Sequence, residues 1–297
     1  MAKNSLHNTT ARNTFLWGWF LILPTVVGLM VLNIYPMIMT FYQSLCKTGD
    51  FGRGNIFIGL KNYTKLFSDA SVIQALVNTF KYTVMEVPFA VIIALILAAM
   101  LNRKIVGRSA YRTIFFLPMV VAPAAIAMVW RWLYNSQFGL INNVFNLSVN
   151  WISNPSLAVY SIAVIGIWSD IGYNMILFLA GLQEVPKDYY EAADLDGASG
   201  IQSFIHITIP MISPILFFVI ITRMIAAMQV FDLIYMIMDR SNPALAKTQS
   251  LVYLFYQSSF VERDLGYGST IVVVLLFNIL VITVFQIIAQ KKWVHYE

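Results

Sequence analysis

The sequence predicts an all-α, polytopic membrane protein with six transmembrane helices. Of its 297 residues, 59% are hydrophobic and 11% are charged, whereas a soluble domain carries about 25% charged residues. The apolar residues fall into six long runs, and roughly 20 apolar residues are enough for a helix to cross the hydrocarbon core of a bilayer. Composition therefore places the chain among membrane proteins, although its length alone would fit two soluble domains.

The six predicted spans differ in the charged residues that they contain or border. The first contains no charged residue, and Arg112 and Arg131 bracket the third. Asp170 interrupts the fourth span, and Arg223 and Asp232 interrupt the fifth. Prolines in several spans predict kinks, which membrane helices tolerate when neighbours satisfy the freed carbonyl groups. The spans are expected at residues 15–41, 78–101, 113–134, 157–181, 211–237 and 266–289.

Several kinds of chemistry lack the residues that they need. Cys46 is the only cysteine, which excludes an internal disulfide and a cysteine-based zinc site. The three histidines are scattered without metal-ligand spacing, and no G-x-x-x-x-G-K-[ST] phosphate loop is present. Lysines and arginines form no basic stripe of the kind that binds nucleic acid. We therefore expect no catalytic residues, no metal site, no nucleic-acid partner and no cofactor held by this chain.

The basic residues predict the side of the membrane on which each loop lies. The connection 102–112 carries four of them and no acid, Lys291 and Lys292 lie in the C-terminal tail, and Lys3 and Arg12 lie in the N-terminal tail. Because short cytoplasmic loops carry an excess of lysine and arginine, we expect both termini in the cytoplasm. The expected organisation is a cytoplasmic tail at 1–14, a transmembrane domain at 15–290 and a second cytoplasmic tail at 291–297.

A polar segment at 182–210 separates the fourth and fifth spans and falls on the cytoplasmic side in this arrangement. One or two helical turns are predicted around Glu191, Ala192 and Ala193. The small side chains of the two alanines let another protein approach the backbone closely. Gly197 permits a sharp turn or a helix end. We therefore predict a short helix that docks a cytoplasmic partner.

This segment resembles the EAA motif of ABC importer permeases. Its acid, alanines, glycine and proline have the spacing of the motif, and the flanking sequences FLP at 116–118, AGLQEVP at 180–186 and VFDLIY at 230–235 fit the same family. The likeness points to carbohydrate-uptake permeases of the maltose and glycerol-phosphate type. One departure follows the fifth span, where Ser241-Asn242-Pro243 stands in place of the Gly-Gly-Pro of many relatives. The residues that the resemblance assigns to coupling are Glu191, Ala192, Ala193, Asp196, Gly197, Ala198, Phe204 and Pro210.

The resemblance implies a division of labour among several chains in the inner membrane of a bacterium. Two permease chains, more often paralogues than copies, would form the pore within the lipid. Two ATP-binding subunits would bind ATP and Mg²⁺, and each would hold one EAA helix. An extracytoplasmic solute-binding protein would deliver a sugar or oligosaccharide. Two alternatives stay open: the same machinery for another solute, such as a phosphorylated polyol, or a proton- or ion-coupled secondary transporter.

Ionisable residues inside the spans indicate where a substrate would bind. Asp170 and Arg223 are predicted at the same depth on adjacent antiparallel helices. They either line a cavity and hydrogen-bond sugar hydroxyls or form a structural ion pair, and the sequence does not decide between the two. Glu86 is expected to make a helix contact rather than a substrate contact. Two aromatic rings are expected to stack on the sugar, and the complete predicted substrate set is Trp168, Asp170, Tyr173, Asn174, Arg223 and Gln229.

Overall fold

The computed structural model describes residues 2–49, 55–103 and 105–295. Within these ranges the chain is almost entirely helical, as predicted, and its one sheet is a hairpin in which β1 (Cys46–Thr48) pairs antiparallel with β2 (Asn55–Phe57). In chain order the helices are α1 (Ala2–Leu29), α2 (Tyr35–Ser44), α3 (Lys61–Ser68), α4 (Ala70–Asn102), α5 (Arg108–Val120), α6 (Pro123–Leu133), α7 (Leu140–Phe145), α8 (Ala158–Glu184), α9 (Lys187–Leu195), α10 (Gly200–Ser203), α11 (Ile209–Met211), α12 (Ser213–Met228), α13 (Asp232–Ile237), α14 (Leu251–Tyr256) and α15 (Leu265–Gln290).

Four helical segments are long and apolar enough to cross a membrane, and they coincide with the first, second, fourth and sixth predicted spans. The first of them is continuous, because a wider π-helical turn at Met30–Ile34 joins α1 to α2. Two further helix pairs, each sharply bent, bring the count to six if each pair is one span. The four segments are Asn13–Ser44, Ala70–Asn102, Ala158–Glu184 and Leu265–Gln290.

The third span, predicted at 113–134, consists of two helices rather than one. These are α5 and α6, which meet at an angle of 100°. Val121 and Ala122 are extended at the junction, with ψ angles of 137° and 135°. Pro123 explains the break, because the proline ring disfavours helical backbone in the preceding residue and pre-sets the first position of the next helix.

The fifth span was predicted at 211–237, and both of its ends differ in the structure. Helix α12 follows a bend of 71°, where Pro214 has no N–H to donate to the preceding turn. At its other end α12 stops at Met228. The side chain of Ser250 donates a hydrogen bond to the carbonyl of Val230, and Asp232 begins the separate helix α13.

The core forms where α4 packs along α8. Small side chains face the contact, and Ala90, Ala94 and Ala98 of α4 and Ala163 of α8 are all fully buried. A Cβ at Gly166 of α8 would clash with the hydroxyl of Tyr82. Small residues let helix backbones approach closely in a membrane, where van der Waals packing drives association. This contact brings α4 and α8 together at the point where α12 also crosses.

In the first span, α1 lies outside this core, while its continuation α2 packs against α15. No residue from 13 to 43 is buried, although the segment is rich in tryptophan, phenylalanine and leucine. Its end is tied down by polar contacts, since Asn62 donates hydrogen bonds to the carbonyls of Ser44 and Cys46, and Thr270 donates one to Ser44. The apolar surface of α1 therefore faces outward from the chain, toward lipid or a neighbouring subunit.

Candidate coupling loop and intramembrane charge cluster

The polar segment predicted to dock a partner folds as two short helices at an end of α8. Helix α9 carries Glu191, Ala192 and Ala193 and ends in a Schellman motif. In that motif the N–H of Ala198 bonds to the carbonyl of Ala193, and the N–H of Gly197 bonds to the carbonyl of Asp194. Gly197 adopts a left-handed conformation with φ of +75°, which glycine accepts at little cost. The glycine of the EAA-like pattern therefore ends α9.

Helix α10 begins at Gly200, three residues after Gly197, and a capping box precedes it. The backbone N–H of Ser199 donates to the side chain of Gln202, and the side chain of Ser199 accepts from the backbone of Gln202. The hydroxyls of Tyr190 and Thr208 lie 2.9 Å apart and tie α9 to the segment that follows α10. These local bonds hold the two helices at a set angle, and Tyr190 and Phe204 also pack against the core.

The structure separates the predicted coupling residues into three groups. Glu191 and Ala192 are exposed on α9, and Ala193 is half-buried. The turn residues at 196–198 line an open cleft of about 340 Å³ together with Gln202, Ser203, His206 and Ile207. Phe204 packs against the core, and Pro210 lies in α11 just before the bend into α12.

Two apolar residues of this loop were absent from the predicted coupling set. Leu195 is 90% exposed and Ile201 is 74% exposed, one at the end of α9 and the other at the start of α10. Exposed large apolar residues on an otherwise polar surface indicate an interaction site. The signal in the sequence is a leucine and an isoleucine within the run DLDGASGI, where solvent would favour polar residues.

A charge cluster joins three helices within the predicted spans. One nitrogen of Arg223, Nη2, lies 2.8 Å from Oε1 of Glu86 and 2.6 Å from Oδ2 of Asp170. Arg223 belongs to α12, Glu86 to α4 and Asp170 to α8. The predicted proximity of Asp170 and Arg223 is therefore present. Glu86, expected to make a helix contact, turns out to be the third member of the cluster.

The three side chains differ in burial and in hydrogen bonding. The side chain of Glu86 is fully buried, that of Arg223 is 12% exposed and that of Asp170 is 32% exposed. The contact to Glu86 has the geometry of a hydrogen bond, while the contact to Asp170 is an ion pair. Oε2 of Glu86 and Nε of Arg223 are buried without a hydrogen-bond partner. Two carboxylates thus share one guanidinium nitrogen, and the cluster carries two acids for one base.

Of the remaining predicted substrate residues, Tyr173 and Asn174 follow Asp170 by three and four positions and so share its side of α8. Trp168 and Tyr173 are 42% and 39% exposed, but they lie roughly 140° apart around α8, and Trp168 packs edge-on against Trp130. Asn174 is fully buried, and neither atom of its amide has a hydrogen-bond partner. Gln229 follows the end of α12 and donates its amide to the carbonyl of Ile225. The two aromatic rings therefore form no common stacking surface in this conformation.

A helical membrane domain with a polar loop between two of its spans is the architecture of a polytopic membrane permease. Residues 88–294 match the family described as "Binding-protein-dependent transport system inner membrane component". The chain is 34% identical over 276 residues to a probable ABC transporter permease protein, YurN, of Bacillus subtilis, covering 90% of this chain and 94% of that one. It is 32% identical over 283 residues to the sn-glycerol-3-phosphate transport system permease protein UgpA of Brucella abortus, with 94% and 96% covered.

Solved structures show the same fold. A bacterial ABC transporter involved in the import of the acidic polysaccharide alginate matches with a TM-score of 0.84 and 21% identity over 97% of this chain and 99% of that one. The alginate transporter in complex with a periplasmic protein bound to an alginate pentasaccharide matches with a TM-score of 0.83 and 22% identity, over 96% of both chains.

The chain belongs to the family of binding-protein-dependent transport system inner membrane components. It is a permease subunit of an ABC transport system and not an enzyme. This family membership favours ATP-driven import over the proton- or ion-coupled secondary transporter that the sequence alone left open.

Proposed function

We propose that this chain forms one half of the pore of an ATP-driven importer for a sugar or oligosaccharide. A solute-binding protein delivers the substrate from outside the membrane. Two ATPase subunits bind ATP and Mg²⁺ and engage the loop at 182–210, and a second permease chain, most simply a paralogue, completes the pore. The names of the relatives support carbohydrate-related substrates, since they include a permease for sn-glycerol-3-phosphate and a transporter for alginate.

One observation carries the coupling role of the loop. Two short helices are held at a fixed angle by their own backbone and capping bonds, and they present Leu195, Ile201 and Glu191 outward. A surface that projects from the membrane domain and is locally rigid moves as a unit when a docked subunit moves, so its two helices stay folded. Because Pro210 and the 71° bend connect the loop directly to α12, a displacement of the loop reaches Arg223 through one helix.

The proposed orientation puts both termini and this loop in the cytoplasm. The connection 102–112 and the C-terminal Lys291 and Lys292 lie on the same side as the loop in that arrangement, as the charge bias of short loops favours. Cysteines introduced at Leu195 and, on the opposite side, at Phe138 distinguish the two faces, since both residues are exposed. In intact cells a membrane-impermeant maleimide is expected to label the position at 138 and not the position at 195. Labelling at position 195 and not at 138 would show that the orientation is the opposite of the proposed one.

The function is tested by reconstituting the complete assembly in vesicles with its binding protein. Uptake is expected to require ATP inside and the binding protein outside, and to persist when an ionophore collapses the proton gradient. Loss of uptake on adding the ionophore while ATP remains is incompatible with the proposal. A ligand screen on the binding protein separates the two substrate classes, a neutral sugar and a phosphorylated polyol.

The docking surface is tested with Glu191→Lys and Gly197→Asp. Either variant is expected to reduce co-purification of the ATPase subunits and to abolish uptake while the permease stays in the membrane. Asp232→Lys is the matched control, because Asp232 is an exposed acid on α13 that lies outside the loop at 182–210. Unchanged ATPase recovery with both loop variants counts against this surface.

A further inference from the structure

The Glu86–Arg223–Asp170 cluster leaves two hydrogen-bonding atoms unsatisfied, and they belong to the same pair of residues. Oε2 of Glu86 and Nε of Arg223 are both buried without a partner. Leaving a buried charged group partly unsatisfied is costly. The arrangement is therefore poorer than the best one that these two side chains can form.

A better arrangement is available to the same atoms. An arginine and a carboxylate bind most strongly as a bidentate pair, in which two parallel N–H groups meet the two carboxylate oxygens. Here Arg223 uses only Nη2, and it divides that nitrogen between Oε1 of Glu86 and Oδ2 of Asp170. If Arg223 turned fully toward Glu86, its Nη2 and Nε would face both oxygens of that carboxylate, and the two orphan atoms would satisfy each other.

Burial determines which carboxylate Arg223 keeps. Glu86 is fully buried, and no other cation lies beside it among the described residues, so losing Arg223 would leave an uncompensated charge in the core. Asp170 is 32% exposed, so water or a substrate can take the place of Arg223 there, even though its ion-pair distance of 2.6 Å is the shorter of the two. Asp170 is therefore the partner that Arg223 can release.

We propose that Arg223 switches between these two arrangements during transport, with Glu86 as its permanent counter-ion and Asp170 as a carboxylate that is released to bind substrate. This inference rests on the proposed function and assigns roles within its pore. It also resolves the choice between ligand and ion pair that the sequence left open, because Asp170 takes both roles in turn. Glu86 is a positioning residue that acts through Arg223.

The switch has a consequence for the class of substrate. Once Arg223 and Glu86 neutralise each other, the free Asp170 contributes a negative charge and only hydrogen-bond acceptors. A carboxylate binds the hydroxyl donors of a neutral sugar and repels a phosphate or a uronate at close range. We therefore infer that this half of the pore favours neutral, hydroxyl-bearing substrates over anionic ones, in contrast to the substrates in the names of the relatives.

The mechanical trigger is the connection between the coupling loop and α12. Arg223 lies on α12, ten residues after the start of that helix at the 71° bend. A rigid-body tilt of α12 moves Arg223 relative to α8, while the paired small residues of α4 and α8 keep Glu86 and Asp170 in place. The cluster is thus a two-state element of the kind that interfaces use to convert small shifts into discrete changes.

The direct test is the structure of the full transporter assembly in its resting state and trapped with a non-hydrolysable ATP analogue. In the trapped state we expect Asp170 to lie beyond hydrogen-bond distance of Arg223, and Arg223 to contact both oxygens of Glu86. An unchanged cluster in both states, or an Arg223 that leaves Glu86 and stays with Asp170, overturns the switch. This readout does not depend on knowing the substrate, so a failure to find ATP-driven sugar uptake would reject the proposed function separately.

Kinetics of reconstituted assemblies provide the second test. Asp170→Asn is expected to raise the half-saturating concentration of substrate-loaded binding protein by roughly tenfold or more, since it removes a charged hydrogen-bond acceptor for the substrate. Glu86→Gln leaves Asp170 as the only counter-ion, so the maximal uptake rate is expected to fall by a similar factor with little change in half-saturation. Asp232→Asn, an exposed acid on α13, is the matched control and is expected to leave both parameters unchanged.

The two variants are expected to change different kinetic parameters, and this difference distinguishes a switch from an ion pair with a purely structural role. An ion pair that only holds helices together predicts that both substitutions lower the yield of folded assembly together and change the same kinetic parameter. That outcome overturns the proposal. Recovery of the assembly after detergent extraction is measured for each variant. If a variant fails to assemble, the trapped-state structure of the native protein decides the question instead of the kinetics.

Discussion

At the scale of single residues, the fold depends on positions that have no room for a larger side chain. Gly172 of α8 lies against the backbone of α5, and a Cβ there would clash with the carbonyl of Phe115. That contact is between backbones, so no flexible side chain can move aside. By contrast, a Cβ on Gly28 of the first helix would meet no atom within 4 Å.

Gly172→Ala is expected to destabilise the protein by about 1–3 kcal/mol, because overpacking forces the backbone of α5 away from α8. Gly28→Ala is the matched control, since it also replaces a helical glycine by alanine but adds its methyl group to open space. Thermal unfolding of both variants in detergent measures the difference. Equal melting temperatures for the two would contradict the close contact of α5 and α8.

A second residue-scale feature is the carboxylate at the start of α4. Burial raises the pKa of Asp69, but hydrogen bonds from Ser71 and Tyr267 together with the charge of Lys65 outweigh it, so this pKa lies below its ordinary value of 3.8. The side chain caps α4 through the N–H of Ser71 and accepts a hydrogen bond from Tyr267 of α15. The ionised form therefore links two helices.

The sign of the pH dependence follows from that lowered pKa. The stabilisation by Asp69 is complete above about pH 4 and is lost as the pH falls through the folded-state pKa. Asp69→Asn is accordingly expected to lower the melting temperature at pH 7, and the gap to the native protein is expected to narrow below pH 4. Asp194→Asn, an exposed acid on α9, serves as the control. A gap that stays constant between pH 7 and pH 3 would show that the carboxylate charge is not involved.

At the scale of elements, the coupling loop is shaped by its own helix ends. Gly197 and Gly200 both have open space around them, but only Gly197 has a positive φ. A comparison of alanine substitutions at the two positions therefore isolates the cost of the left-handed conformation from the effect of adding a methyl group. Any effect specific to Gly197 reports the left-handed turn that ends α9.

Gly197→Ala is expected to strain the turn by about 1 kcal/mol, since a non-glycine residue pays that much in the left-handed region. Stimulation of ATPase activity by the loaded binding protein is expected to fall, because the angle between α9 and α10 changes. Gly200→Ala is expected to keep the stimulation, as alanine is accepted in a helix at that position. Parallel losses in both variants would mean that the turn conformation is not what matters.

At the level of the whole molecule, the chain divides into a packed bundle and helix α1, which lies outside it. The bundle of α4, α8 and α12 buries Phe178 completely, whereas Phe20 of the first helix is 67% exposed. Both are phenylalanines on apolar helices, so only their place in the tertiary structure differs. The first helix is therefore built to contact lipid or another subunit rather than its own core.

Phe178→Ala is expected to cost about 3–5 kcal/mol of unfolding free energy, as truncation of a buried aromatic residue leaves a cavity. Phe20→Ala is expected to change it by less than about 0.5 kcal/mol, as exposed substitutions usually do. Reversible unfolding of the isolated chain in mixed detergent micelles compares the two. A large effect at Phe20 would show that the first helix packs onto the bundle.

The amino-acid sequence alone was enough to predict that the chain is helical and embedded in a membrane, because long apolar runs are a local property that needs no knowledge of packing. It also predicted a turn or helix end at Gly197, since the conformational freedom of glycine acts at its own position. Asp170 and Arg223 were placed at one depth by counting along two spans.

Which carboxylates pair with Arg223 became clear from the packing of the helices. Glu86 is 84 and 137 positions from Asp170 and Arg223 in the sequence, and no periodicity indicates which face of α4 meets which face of α12. The angle of the bend before Pro123 and the early end of α12 at Met228 were likewise not predicted, because the apolar pattern continues through both. Hydropathy records whether a residue favours lipid or water, and side-chain contacts between distant helices are set by packing, which hydropathy does not encode.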